Sequence, residues 1–211
     1  MNGTPDDLWH YRDLGREGGL AAGLAAVLDG LDPAATAPGG VAVLPADGAG
    51  GTGGTEVLPH PFAALDGLAL VRFAAGTTGP GLTGRTAAAL TAVRIGVLSG
   101  LLDAAVQRLS ARSFGGVPLI DHQLVGGSLA DVVTETELAW AAAVREAGAA
   151  SPAPAGAAWA RHERLTEAGW AATRLFGAEG YLTDHPARSL HLSALTADLW
   201  LARPNTAEGV R

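Results

Sequence analysis

Gly79-Pro-Gly-Leu-Thr-Gly84-Arg85-Thr86 sets three glycines ahead of a basic residue and a hydroxyl, the makings of a loop that cradles phosphate in front of a helix. Arginine stands where the compact ammonium of lysine would be needed, and no alternating series of strands and helices surrounds it, so nucleotide hydrolysis is set aside. Asp184-His185 and His191 lie close enough along the chain to flank a cavity as a general base or a hydrogen-bonded pair. Asp184-His185-Pro186 also has the chemistry to cap and open a helix, and that reading is preferred. No pair among His10, His60, His122, His162, His185 and His191 has a metal-binding helical spacing with a third ligand, so no metal is expected. Neither a nucleophile elbow nor a triad pattern is present. Arg174, His122 and His191 are the pocket candidates.

Composition narrows the chemistry further. The 211 residues contain no cysteine, which removes disulfides, thiolate nucleophiles and cysteine-bound metals. All 14 basic residues are arginine, which removes Schiff-base chemistry. With a net charge of −7 and scattered arginines the chain has no basic face for nucleic acid, and none is expected as a partner. At 48% apolar and 17% charged it reads as a folded globular protein. The start, Met-Asn-Gly-Thr-Pro-Asp-Asp, has no basic segment followed by an apolar run, so no signal peptide is expected. The apolar stretch 95–105 is broken by Ser99, Gly100 and Asp103, which predicts a buried core helix rather than a membrane span, and a cytoplasmic location.

The elements that must position these residues differ along the chain. Residues 1–80 read as an irregular segment, a helix plus short strands, either a reduced β-domain or something unrelated. Thr4-Pro5-Asp6-Asp7 opens the helix, strand-like runs lie at 41–44 and 68–73, and the glycine-rich 48–54 forms a loop between them. Residues 81–211 are predicted to form an antiparallel four-helix bundle, so the chain is mainly α. Its first helix runs from near Arg85 to Ser110 and is apolar around most of its circumference, which places it centrally. A second, capped by Asp121, carries Leu124, Leu129, Val132, Val133, Trp140 and Val144 at helical spacing. The third spans about 157–176 after the loop 151–156, and the fourth about 186–201. Thr134-Glu135-Thr136-Glu137, and Arg161, Glu163, Arg164 and Glu167, read as solvated faces with ordinary surface pairs. The five tryptophans read as core or interface anchors.

Two turn segments lie between these helices: Arg112-Ser-Phe-Gly-Gly-Val-Pro-Leu-Ile-Asp-His-Gln123 and Phe176-Gly-Ala-Glu-Gly-Tyr-Leu-Thr-Asp-His-Pro186. With Ile95-Gly96 and Leu102-Asp103 before the first, and Leu129-Ala-Asp131 after it, they resemble the carboxy-terminal helical domain of acyl-CoA dehydrogenases. The resemblance covers roughly 86–201. It implies that Arg112, Ser113, Phe114 and Gln123 touch the phosphates or ring edges of FAD. It also implies that Gly177 and Gly180 hold the adenosine end of a flavin bound mainly by a neighbouring subunit. Arginine pairs bidentately with a diphosphate, and glycines let backbone amides approach it. If neither loop serves a flavin, Phe114 and Phe176 are core anchors and the glycines only turn the chain.

The chain departs from that family where the chemistry should be. Removing a proton alpha to a thioester needs a positioned carboxylate. The two places where the resemblance puts it read Trp200-Leu201-Ala202 and Thr86. The first 80 residues are too few for the two domains that precede the bundle in the family, so an autonomous dehydrogenase is not expected. Two functions remain open. One is an acyl-CoA dehydrogenase-like protein acting on an acyl or polyketide-type intermediate, either sharing a flavin with a partner or serving, without flavin, as a shaped pocket for isomerisation, cyclisation or elimination. The other is a non-catalytic subunit that docks on a full-length flavoprotein of this type. Partners expected are a second copy or such a flavoprotein, with a small hydrophobic or acyl ligand.

Overall fold

The computed structural model describes residues 5–51, 56–74, 76–151, 153 and 155–204. In chain order these form helices α1 (Pro5–Glu17), α2 (Gly19–Leu28) and the single-turn α3 (Pro33–Thr36), then strands β1 (Val41–Pro45), β2 (Glu56–Leu58) and β3 (Leu68–Arg72). There follow α4 (Gly84–Ala111), the short strands β4 (Ser113–Phe114) and β5 (Val117–Pro118), and α5 (Gln123–Ala147), α6 (Ala155–Arg174) and α7 (Arg188–Trp200). The four long helices are those predicted. The expected Thr4 cap and parts of the loops at 48–54 and 151–156 lie outside the described residues.

Helix α4 is the axis of the fold. Every residue from Ala87 to Leu98 is buried, so neighbours must cover it on all sides. Helices α5, α6 and α7 supply three of those neighbours, with Val132, Ala139 and Ala143, Leu165, Ala168 and Ala172, and Leu192 and Ala197 turned inward. The fourth side is closed by α1, and here glycine decides the geometry. A Cβ on Gly15 would stand 2.2 Å from the Val93 carbonyl oxygen, and one on Gly96 would stand 2.0 Å from that of Arg12. The two backbones touch, which only hydrogen side chains allow.

The three main strands form one antiparallel sheet in the order β1-β3-β2, with Val43 opposite Leu70 and Val57 opposite Val71. The runs at 41–44 and 68–73 are thus strands that pair directly, and β2 was not legible. Trp200 joins this sheet to the bundle: it is fully buried, and its indole N–H donates to the Val43 carbonyl at 2.9 Å. Asp66, ahead of β3, accepts from Arg188 Nε at 2.8 Å and from the Ser189 hydroxyl at 2.5 Å, tying the same segment to α7.

Four local expectations need correction. Asp121 does not cap α5: the chain first makes a 3-10 turn over Leu119–Asp121, and His122 sits at the cap without a side-chain bond. Thr136 is not solvated, since its face of α5 turns toward the core and its hydroxyl donates to Val132 O. Arg161 is buried against Glu146, and Arg164 pairs across to Glu135 on α5 instead of along its own helix. Phe176 is a core anchor, whereas Phe114 is 74% exposed.

Candidate functional site

The two turn segments meet at one end of the bundle because of how α4 ends. After Arg112 the chain reverses through a two-glycine hairpin, Gly115 and Gly116 both at positive φ, which pairs Ser113 with Pro118 and Phe114 with Val117. Such a turn requires left-handed backbone at both central residues. The second segment approaches from α6: Gly177 takes φ 64° and starts a 3-10 turn to Tyr181, while Gly180 lies against α6, where a Cβ would meet Thr173 O at 2.6 Å. Glu179 joins the two segments. Its carboxylate accepts a very short hydrogen bond from Arg108 and approaches Arg112 at 3.5 Å, and the Arg108 bond holds it below the usual carboxylate range.

Phe114 and Val117 of the hairpin, Leu124 at the start of α5, and Tyr181 and Leu182 in the second segment are each between 44% and 86% exposed. Gln123 is exposed beside them. His122 stands behind, its ring 6.4 Å from that of Phe114 and its Nε2 buried without a partner. The other two pocket candidates lie elsewhere. Arg174 is exposed at the end of α6 and donates back to Trp170 O. His191 stacks on His60 at 6.2 Å, near Phe62 and Trp170. Among the described residues no hydrogen bond, ion pair or ring contact joins His122 to either. His185 behaves as the helix-opening reading expects, its Nδ1 accepting from the Ala187 N–H just before α7. Three amides of the glycine-rich loop before α4 are spent within the fold: Gly79 N donates to Ala37 O, Gly81 N to Thr36 O and Leu82 N to Trp200 O.

Residues 83–201, more than half of the chain, match the acyl-CoA dehydrogenase C-terminal domain. The chain belongs to the acyl-CoA dehydrogenase family. Among solved structures, FkbI, described as for biosynthesis of the methoxymalonyl extender unit of the Fk520 polyketide immunosuppressant, is 19% identical over 77% of this chain and 47% of its own, with a TM-score of 0.50. A variant of the Tcur3481-Tcur3483 steroid ACAD is 25% identical over 77% and 45%, with a TM-score of 0.48. An electron transferring flavoprotein of Acidaminococcus fermentans is 19% identical over 76% and 45%, also at 0.48. The chain therefore spans about half the length of these relatives, and the likeness to FkbI speaks for the fold alone. No curated protein matches the chain.

Of the two places where the resemblance puts the proton-abstracting carboxylate, one lies in the core and the other at the start of α4. Leu201 is buried, and the Thr86 hydroxyl donates to Thr83 O. The crevice shared by Leu82, Thr83, Leu201, Ala202 and Glu146 holds about 20 Å³, room for one water and not for an acyl thioester. The one carboxylate in it, Glu146, lies 2.6 Å from Arg161 NH1. That contact is ionic rather than an aligned hydrogen bond, since Glu146 Oε2 has no partner of hydrogen-bonding geometry. As for FAD, none of the principal clefts is lined by Arg112, Ser113, Phe114, Gln123, Gly177 or Gly180. Glu179 also sets a negative charge beside the arginines that a diphosphate would need. These residues do not enclose a flavin by themselves.

Sequence reasoning missed the buried polar centre. Arg94, 3% exposed in the middle of α4, donates from Nε to Ser193 Oγ at 2.9 Å, from NH2 to Thr166 Oγ1 at 2.8 Å, and from NH1 to His162 Nδ1 and His162 O at 2.8 and 3.1 Å. Accepting at Nδ1 fixes the proton of neutral His162 on Nε2, which faces Thr91 Oγ1 at 3.1 Å. Thr91 also accepts from Arg161 Nε. Burial lowers the Arg94 pKa to about 10. The signal was a lone charge inside an apolar run, since a fully buried arginine is always committed to partners.

His162 predicts how stability depends on pH. Burial first, then Arg94 and Arg161, hold its pKa well below 6.5 in the fold. Unfolded chains bind that proton more readily, so as pH falls through 6.5 the folded state loses stability, by up to about 1.4 kcal/mol per pH unit, until the folded pKa is reached. Urea midpoints between pH 7.5 and 5 should fall along that slope, and a His162→Gln chain should lose the His162 share of it.

Proposed function

We propose that this chain works docked on an acyl-CoA dehydrogenase-type flavoprotein, offering it the hairpin end of the bundle, and that proton abstraction is not its task. The observation that carries this is the set of exposed apolar side chains, Phe114, Val117, Leu124, Tyr181 and Leu182, carried by the segments that the Arg108–Glu179–Arg112 ion pair joins and by the start of α5. Leaving such residues in water forgoes burial worth roughly 1.5–3 kcal/mol for each large side chain, and clusters of this kind mark interaction sites. Aromatic and arginine anchors within a polar surround are what interface hot spots are made of. Arg112, half-exposed and held by one contact at 3.5 Å, can turn outward to a diphosphate on the partner, with Ser113, Phe114, Gln123 and the amides of the 177–180 turn beside it. FAD bound there would supply hydride acceptance; this chain would position its edge and exclude water from it. The buried Leu201 and the 20 Å³ crevice support leaving the base to the partner, and give a flavin-free pocket no room at that place.

Co-expression with each full-length acyl-CoA dehydrogenase of the source organism tests this reading. The chain should co-elute with one of them and with flavin absorbance. A Phe114→Asp/Leu124→Asp chain should elute alone while keeping its circular dichroism, because both side chains are exposed. A chain that elutes alone in every pairing, or a double variant that still co-elutes, defeats the proposal.

A further inference from the structure

The cleft between α6 and α7 takes no part in that docking end. Trp159, His162, Glu163, Thr166, Glu167 and Trp170 recur at three- and four-residue steps, so they share one face of α6 and span about 16 Å at 1.5 Å per residue. Ala197 and Asp198 of α7, and Arg203 beyond it, form the opposite wall. The space enclosed is about 520 Å³, the size of a small-molecule site.

Its floor has no free hydrogen-bond donor to offer an anion, although the Arg94 charge is felt by Asp198 of the wall. The Arg94 guanidinium beneath it is spent on Ser193, His162 and Thr166, and the Thr166 hydroxyl is spent on His162 O. The walls are different. Glu163, Glu167 and Asp198 make no hydrogen bond or ion pair with any described residue, although eight arginines elsewhere pair with acids. At one end the cleft already shows what it accepts: the Arg203 guanidinium lies over the Trp159 ring, 5.1 Å from its centroid. At the other end Trp170 is 42% exposed with Glu167 one turn away; its ring lies 6.1 Å from that of His191, and among the described residues no arginine lies over it. A cation over an indole face next to a carboxylate gains from both.

We propose that the α6–α7 cleft binds a linear aliphatic polyamine. One ammonium sits over Trp170 beside Glu167, the methylene stem runs along α6, and further ammonium groups meet Asp198 and Glu163. The elongated shape selects a chain over a compact ion, and among the described residues Glu163, Glu167 and Asp198 are carboxylates of the walls that hold no hydrogen bond. This inference is independent of the docking end.

Spermidine is the probe, added to the full chain and followed by tryptophan fluorescence and calorimetry at about 0.15 M salt, where long-range attraction to a net-negative protein is screened. Saturable one-to-one binding is expected. Glu167→Gln/Asp198→Asn should weaken it about tenfold, and Trp170→Leu, which changes no charge, about threefold; all three positions are exposed, so folding should be kept. A response that never saturates overturns the proposal. So does equal displacement by magnesium ions, which would make the cleft a general counterion site. So does binding by the variants as tight as that of the unchanged chain.

Discussion

Replacing Glu146 by alanine should cost about 3–5 kcal/mol, because it leaves the Arg161 cation buried without an opposite charge. Side chains that keep only 8% and 4% of their exposure, as Arg161 and Glu146 do, cannot turn to water for compensation. Arg161 would retain its Nε bond to Thr91 and nothing on NH1, and its NH2 is already unpaired. For a chain of this length the loss corresponds to a fall in Tm of about 6–20 °C, measurable by calorimetry. The companion experiment is Glu146→Leu/Arg161→Met, which removes both charges into apolar volume and should recover most of the loss. If Glu146→Ala alone leaves Tm within about 2 °C, the pair is not buried as described. The same substitution should leave docking at the hairpin end unaffected, since Glu146 lies at the other end of α5.

Gly96→Leu should be as damaging, by overpacking. With the Cβ position 2.0 Å from the Arg12 carbonyl oxygen, the obstacle is backbone, which cannot rotate away. Helix α1 must lift from α4, opening the seam that buries Leu8 and separating Val93 from Gly15. A cost of at least about 3 kcal/mol is expected, at the upper end of overpacking effects. The change should be readable locally. Trp9 lies 4.6 Å from Trp140, with the Arg12 guanidinium 5.2 Å from each ring. Lifting α1 breaks that stack, so tryptophan emission should shift and α1 amides should exchange faster than those of α5. Normal exchange in α1 would mean that the two backbones are not in contact.

The bundle was legible in the sequence because its evidence is local. Apolar residues on every side of α4 mean a central helix in any context, and the turn segments around Phe114 and Gly177 interrupt the helical pattern where the chain reverses. The small sheet was legible in part: β1 and β3 carry β-branched and aliphatic runs, but β2 offers only Glu56, Val57 and Leu58, too little to distinguish from loop. Polar partnerships were not legible at all. The spacing of Arg161, Glu163, Arg164 and Glu167 fits surface pairs along one helix, yet Arg161 turns inward and Arg164 crosses to Glu135, because α5 places carboxylates within reach and sequence spacing carries no record of a neighbouring helix. The partnership of Glu179 with Arg108 and Arg112 was hidden for the same reason, with about 70 residues between the partners.

Helix α4 has enough length and apolar character to cross a membrane, with two thirds of its most apolar window buried in the fold. A ribosome completes it before α5, α6 and α7 exist to wrap it. During that interval lipid is a competing home, and what tips the choice is Arg94, whose place near the helix centre adds about 2.5–3.5 kcal/mol to the cost of insertion. The guanidinium that later organises the polar centre thus also keeps the newborn helix waiting for its own partners.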